Sequence, residues 1–477
     1  MNSTNNRIES DLLGEMSISN EHLYGVQTQR ALDNFQFSPF KISTYPHFIE
    51  ALAITKQAAA RANHKLGMLS DALAKAIDQA CEELLAGKYH DHFPVDMIQG
   101  GAGTSTNMNA NEVIANLALE IMGHERGEYK YCSPNDHVNL SQSTNDAYPT
   151  AAHLGLYKAH VMMLPHLEEL IKAFREKGEE FKDMLKMGRT QLQDAVPMTF
   201  GQTFNGFASI LEEEIPNLQH AAKQLLVVNM GSTAIGTGIC SQPGYSQACV
   251  EALSDITGWE VTLAHDLIGA TSDTSHLIGY SQSLKRLAVK LSKISNDLRL
   301  LSSGPRTGLG EMKLPARQPG SSIMPGKVNP VIPEVVTQIA MKVIGNDVTV
   351  TMAGEASQLE LNAMEPIMVQ CCFESSHYIV QAMDTLRTLC VEGIEINAEK
   401  ALEDVHNSLS IVTALNPFIG YKNSTKIAKE AVATGKSIVE LVLEHGILSK
   451  EQLDIILAPE NLIHPVQLDI KPLKDMQ

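Results

Sequence analysis

The chain predicts a mainly α subunit in three parts, the middle one a bundle of long helices. Three observations carry this. Leu277, Tyr280, Leu284, Leu287, Leu291, Ile294, Leu298 and Leu301 alternate steps of three and four residues, an unbroken heptad pattern that predicts one long amphipathic helix. Strand-like alternation is brief everywhere. The length, 477 residues, exceeds what one ordinary core accommodates, so several domains are expected.

Taken in order, residues 1–140 mix helices with Gly- and Asn-rich turns, giving an N-terminal mixed, mostly helical domain. Residues 141–392 form the central bundle. Its heptad helix is on the order of 40 Å long at about 1.5 Å per residue. Leu167, Leu170, Ile171 and Phe174 begin a second stripe, and Phe207, Leu211, Ile215, Leu218, Ala222 and Leu225 make a third. Pro165 and Pro216 are expected to kink or break these two. Residues 393–477 form a small helical C-terminal domain, with helices near Asn423–Ala433 and Ser437–His445. Apolar stripes of this number call for partners, and association of bundles as a homo-oligomer covers them.

Composition narrows function. Hydrophobic residues make up 44% and charged residues 19%, a globular balance. The net charge of -18 disfavours nucleic acid and anionic membranes as partners. No apolar run reaches the roughly 20 residues that span a bilayer. The polar, acidic start is unlike a signal peptide, so a cytoplasmic location is expected. The seven cysteines are scattered without a CxxC pair and read as reduced core thiols. No His/Cys cluster has metal-ligand spacing. His137, His153, His160 and His166 read as surface or packing residues.

Four polar segments have no evident packing task. Gln99 to Asn109 holds three glycines that let the backbone approach a ligand, with Thr104 and Asn107 as donors at a helix start. An ordinary N-cap explains the same residues. Ser141 to Asp146 has the same character, entering a helix near Thr150. Gly188 to Asp194 reads as a polar turn between two long helices. Gly320-Ser321-Ser322-Ile323-Met324-Pro325-Gly326-Lys327-Val328-Asn329 places two hydroxyls, a lysine and an amide on a loop shaped by glycine and proline. It is not a phosphate loop: five residues separate its glycines and Val328 follows Lys327. Together the segments are rich in neutral donors and poor in metal ligands, which suits a small carboxylate-bearing substrate and charge that develops during proton abstraction.

At these segments the chain resembles the aspartase/fumarase superfamily, whose signature GSSxMPxKxN the fourth segment matches. The resemblance runs from Arg7-Ile8-Glu9 to about His464-Pro465. Gly100-Gly101-Ala102-Gly103-Thr104-Ser105, Ser143-Thr144-Asn145 and Leu361-Asn362-Ala363-Met364-Glu365-Pro366 are similar to the aspartase branch rather than to fumarases. The resemblance implies a three-domain subunit with a central long-helix bundle, a homotetramer, and active sites built from three subunits. It implies reversible deamination of L-aspartate to fumarate and ammonia, with Ser321 as the base that takes a C3 proton. Thr104, Ser143, Thr144 and Ser322 would hold the enediolate. Thr190, Lys327 and Asn329 would bind the α-carboxylate, and Asn145 and Gln191 would contact the amino group.

Gln191 departs from the histidine of fumarases and some aspartases, and glutamine cannot act as a general acid. Loss of ammonia from a protonated amine does not require that acid, whereas loss of water does. No cofactor or catalytic metal is implied, though Mg²⁺ activation at a non-catalytic site occurs in some relatives. The alternatives are a fumarate hydratase and a non-catalytic structural member of the superfamily.

Overall fold

The computed structural model describes residues 6–473. It opens with an antiparallel hairpin, β1 (Asn6–Asp11) and β2 (Gly14–Ser19). Helices α1 (Val26–Asn34), α2 (Pro46–Lys65), α3 (Asp71–Leu85) and α4 (Thr104–Ile121) follow. Pro46 supplies the preset φ of a first helical turn in α2, and Ser70 caps α3 by accepting the Leu73 N–H. These helices are longer than the residue pattern suggested. In α2 the reason is composition: Ala51, Ala53, Ala58, Ala59, Ala60 and Ala62 are all buried, so no polar stripe alternates with an apolar one.

The long helices are α5 (Thr144–Glu180), α10 (Ser275–Leu301), α11 (Val331–Glu355) and α12 (Glu365–Leu389). Between them lie β3 (Leu185–Thr190), β4 (Gln193–Thr199), α6 (Phe200–Glu212), α7 (Glu214–Gln224), α8 (Tyr245–Thr257) and α9 (Leu267–Ser272). Pro165 lies inside α5. The third stripe is divided between α6 and α7, with Pro216 in the first turn of the latter. The C-terminal stretch contains α13 (Ala398–Asn407), α14 (Val412–Thr434), α15 (Ile438–Glu444), α16 (Lys450–Ile456) and α17 (Pro459–Leu462). The chain is mainly α, as expected.

The described residues divide into two compact units: residues 6–165, 214–289 and 339–380, and residues 166–213, 290–338 and 381–473. In the first, Ala51, Ile54, Ala58 and Ala62 of α2 share a core with Ala248, Cys249 and Leu253 of α8. In the second, Leu185 and Met187 of β3 share a core with Val405, Ile411, Leu415, Ile427 and Leu441.

All eight residues of the heptad stripe are buried on α10, Leu301 being the most exposed at 8%. Exposed apolar side chains instead line one face of α11: Met341, Ile344, Val348 and Met352 are 65%, 36%, 54% and 68% exposed. Six of the seven cysteines are buried, but Cys240 is exposed, so it is no core thiol. Burial pushes the Cys132 and Cys390 thiols up to about 12.

Candidate active site

In the first unit, the glycine-rich segment is a tight turn in which Gly101, Ala102 and Gly103 all have positive φ (94°, 54° and 90°). A β-carbon at Gly103 would lie 2.4 Å from the Tyr148 ring, so packing as well as φ requires glycine there. The turn delivers the chain into α4 at Thr104, which is exposed and donates its hydroxyl proton to Gly101 O at 2.8 Å. An incoming carboxylate would compete with that carbonyl for the proton.

Ser143, Thr144 and Asn145 form the entry to α5, earlier than the expected start near Thr150. The carboxylate of Asp146, wholly buried, fixes this entry. It accepts the Ser143 N–H at 2.9 Å and, from the 229–236 loop, the N–H groups of Gly231 and Thr233 at 3.0 and 2.9 Å. Burial pushes the Asp146 pKa up to about 6 against those hydrogen bonds and the nearby Lys56 charge. Asn145 donates its side-chain N–H to Ala234 O at 2.8 Å and receives a bond at its own backbone carbonyl from the Asn229 amide at 3.0 Å. With one amide hydrogen used in this way, Asn145 keeps Oδ1, an acceptor that matches an ammonium group, and a second amide hydrogen. Thr144 Oγ accepts from Asn107 Nδ2 at 3.3 Å.

In the second unit, Gly188–Asp194 is not a plain interhelical turn. It is the tip of the antiparallel hairpin β3–β4, with Thr190 paired to Gln193 and a register shift between Met187 and Arg189. Gln191 and Leu192 occupy its two-residue turn at φ 55° and 61°. Such a turn favours Asn-Gly or Gly-Gly, and neither marker is present. Arg189 braces the hairpin by donating to the buried carboxylate of Glu311 at 2.5 Å. Leu192 is 69% exposed beside Gln191, so the turn projects from its own unit.

The segment Gly320–Asn329 is a loop without helix or strand, as predicted, and it closes on itself. Gly320 N–H donates to Lys327 O at 2.7 Å, and Asn329 Nδ2 donates to Gly320 O at 3.0 Å. A β-carbon at Gly320 would lie 2.8 Å from Asn329 N, so the closure requires glycine. Inside it, Ser321 Oγ accepts two backbone N–H bonds, from Ile323 at 3.1 Å and Met324 at 2.9 Å. Two donors aimed at one hydroxyl oxygen favour its anionic form. Ser322 and Lys327 are exposed, and Asn329 keeps a second amide hydrogen for a ligand.

The structure thus groups Thr144 with Asn107 and Asn145 with Ser143, and it groups Ser321 with Asn329. Among the described residues, no hydrogen bond joins Thr190 or Gln191 to the Gly320–Asn329 loop. A cavity of about 1150 Å³ in the second unit is lined by Val405, His406, Lys436 and Glu440 among others and includes no predicted site residue. Among the described residues, no group of three or more His, Cys, Asp and Glu side chains is arranged to hold a metal ion.

Sequence reading missed Asp146, Asn229 and Lys56 as supports of the Ser143–Asn145 entry. Lys56 carried one signal: Thr55-Lys56-Gln57 interrupts an alanine-rich helix with polar residues on consecutive faces.

Residues 14–345 match the lyase family, and residues 411–464 match the family described as fumarase C C-terminus. The chain belongs to the aspartase/fumarase superfamily of lyases. Among its relatives, the aspartate ammonia-lyase of Pseudomonas canavaninivorans is 56% identical over 98% of each chain. That of Escherichia coli K12 is 53% identical over 97% of each. Among solved structures, a fumarate lyase:delta crystallin from Brucella melitensis bound to cobalt is 49% identical, with a TM-score of 0.94 over 96% of this chain and 100% of that one. A class II fumarase from Schistosoma mansoni is 35% identical, with a TM-score of 0.89 over 95% of this chain and 98% of that one.

Proposed function

We infer that this chain is an aspartate ammonia-lyase, deaminating L-aspartate reversibly to fumarate and ammonia. The near-full-length identity to enzymes of that name supports the substrate. The observation that carries the chemistry is the pair of backbone N–H groups on Ser321 Oγ. They lower the hydroxyl pKa, so the alkoxide can take the C3 proton. The electron pair left on C3 moves into the adjacent carboxylate as an enediolate, which Thr104, Ser143, Thr144 and Ser322 stabilise by donating hydrogen bonds. These bonds strengthen as charge grows, so they act on the transition state more than on the substrate. Thr190, Lys327 and Asn329 hold the α-carboxylate. Asn145 and Gln191 accept from the ammonium group, which leaves as ammonia with the C–N electron pair.

We also propose the three-part organisation 1–140, 141–392 and 393–477, and a homotetramer that completes each site from several subunits. The exposed face Met341, Ile344, Val348 and Met352 on α11 supports association. No described helix is long and apolar enough to cross a membrane, and a cytoplasmic enzyme needing no cofactor is our reading, with Mg²⁺ acting only as an activator away from the site.

The test is the appearance of fumarate absorbance from purified protein given L-aspartate or malate, with and without Mg²⁺. Fumarate from aspartate is expected. Turnover of malate alone would make it a fumarate hydratase, and turnover of neither would make it a structural member.

A further inference from the structure

Lys56 is fully buried, yet its ammonium group meets only neutral partners. Nζ donates to Asn107 Oδ1 at 2.6 Å, Asn139 Oδ1 at 3.1 Å and Gln142 Oε1 at 2.8 Å. Its three donors are therefore used, and none of the three acceptors is a carboxylate. Burial pushes its pKa down to about 7, with the charges of Asp146 and Cys81 opposing that shift. A buried cation without a carboxylate partner is costly, and its three amide acceptors offset only part of that cost.

The consequence lies in the direction of the bonds. An ammonium group can only donate, so it fixes which end of each amide faces it. Asn107 must present Oδ1 to Lys56 and hence turn Nδ2 the other way. There Nδ2 donates to Thr144 Oγ at 3.3 Å and to Asn139 Oδ1 at 3.1 Å. Asn139 donates in turn to Gln142 O at 3.2 Å, and Gln142 donates to Val138 O and Leu140 O at 2.9 and 3.2 Å. The turn that leads into Ser143 is thus held by amides with a single allowed orientation. Because Thr144 Oγ accepts from Asn107, its own proton is directed elsewhere.

We propose that Lys56 and Asn107 are positioning residues that set the polarity of Thr144, keeping its hydroxyl proton aimed at the carboxylate that becomes the enediolate. This rests on the site reading above, in which Thr144 touches that carboxylate.

The obvious variant, Lys56→Met, strands the amide oxygens of Asn107 and Gln142 and threatens the fold. Asn107→Asp is the informative one. It keeps size and the Lys56 contact but replaces the N–H donor by a carboxylate oxygen. Thr144 then donates to residue 107, and its proton is withdrawn from the substrate. The experiment is a cycle of Thr144→Val, Asn107→Asp and the double variant, read as kcat and KM for L-aspartate, with melting curves for each protein.

Removal of a donor to a developing oxyanion lowers kcat about a hundredfold, so Thr144→Val should lose about that much. Asn107→Asp should lose at least about tenfold with the melt little changed, and the double variant should be no worse than Thr144→Val alone, because Asn107 acts only through Thr144. Multiplying losses in the double variant, or unchanged kcat in Asn107→Asp, would overturn the relay while leaving the site intact. Full activity in Thr144→Val would overturn the site assignment itself. If Asn107→Asp does not fold, Asn107→Leu, which removes the donor together with one acceptor of Lys56, takes its place in the cycle; a double variant no worse than Thr144→Val supports the relay, and multiplied losses overturn it.

Discussion

Ser321 is set apart from the serine beside it by its two backbone donors; Ser322 is exposed and free to turn toward a ligand. Removing the hydroxyl of Ser321 removes the proposed base and the acceptor of two backbone N–H groups, but no packing. Ser321→Ala is expected to lower kcat by about 10²–10⁴-fold, the range of a lost general base, while binding of a dicarboxylate inhibitor stays intact. Near-normal turnover would show that another group takes the proton. Lys327 differs in kind, since it is exposed and carries a charge on a flexible stem. Lys327→Ala should raise KM for aspartate much more than it lowers kcat. An unchanged KM would remove it from the α-carboxylate site.

At the scale of elements, regular patterns were legible and compensated ones were not. The heptad stripe of α10 was readable because one face is apolar and buried over its whole length. The wholly buried alanines of α2 gave no period to read. The β3–β4 hairpin was hidden for two reasons: its register shift at Gly188 breaks the alternation, and Gln191-Leu192 carries no turn residue. The four polar segments were readable as chemistry, because clustered hydroxyls and amides have no other task at helix ends. Their supports were not, since Lys56 and Asp146 act through contacts distant in sequence. The turn also yields a prediction. A non-glycine residue in the left-handed region costs about 1–2 kcal/mol, partly offset by the greater freedom glycine has when unfolded. Leu192→Gly should therefore raise the thermal midpoint slightly. A lowered midpoint would mean that the exposed leucine is held by a partner.

For the whole molecule, two features make solution behaviour predictable. The first is Glu365, buried at the start of α12 and lining a cavity of about 320 Å³ with His153 and His276. Burial raises its pKa from the ordinary 4.5 to about 8. Between those values the folded chain keeps a proton that the unfolded chain releases, so the group's contribution is complete below about pH 4.5 and lost as pH rises through about 8. Glu365→Gln stays neutral throughout. Relative to the parent, its melting temperature should improve from about pH 5 to about pH 8 and level off above that, and a constant difference throughout would show that the carboxyl is paired with a cation. The second feature is the apolar face of α11. If the proposed homotetramer uses this face, Met341→Glu with Met352→Glu gives smaller species than the parent in sedimentation velocity and loses activity. An unchanged sedimentation coefficient would place the subunit contact elsewhere.

The self-closed loop from Gly320 to Asn329 bears on how such an enzyme can be redesigned. Its geometry depends on bonds between its own backbone and Asn329, so a base carried on it, as proposed for Ser321, would be held independently of what leaves the substrate. In the proposed site, discrimination among leaving groups falls to Asn145 and Gln191, which lie on other segments than the loop. Biocatalysts that add other amines to fumarate are therefore best sought by varying the residues around those two amides, with the ten-residue loop left untouched.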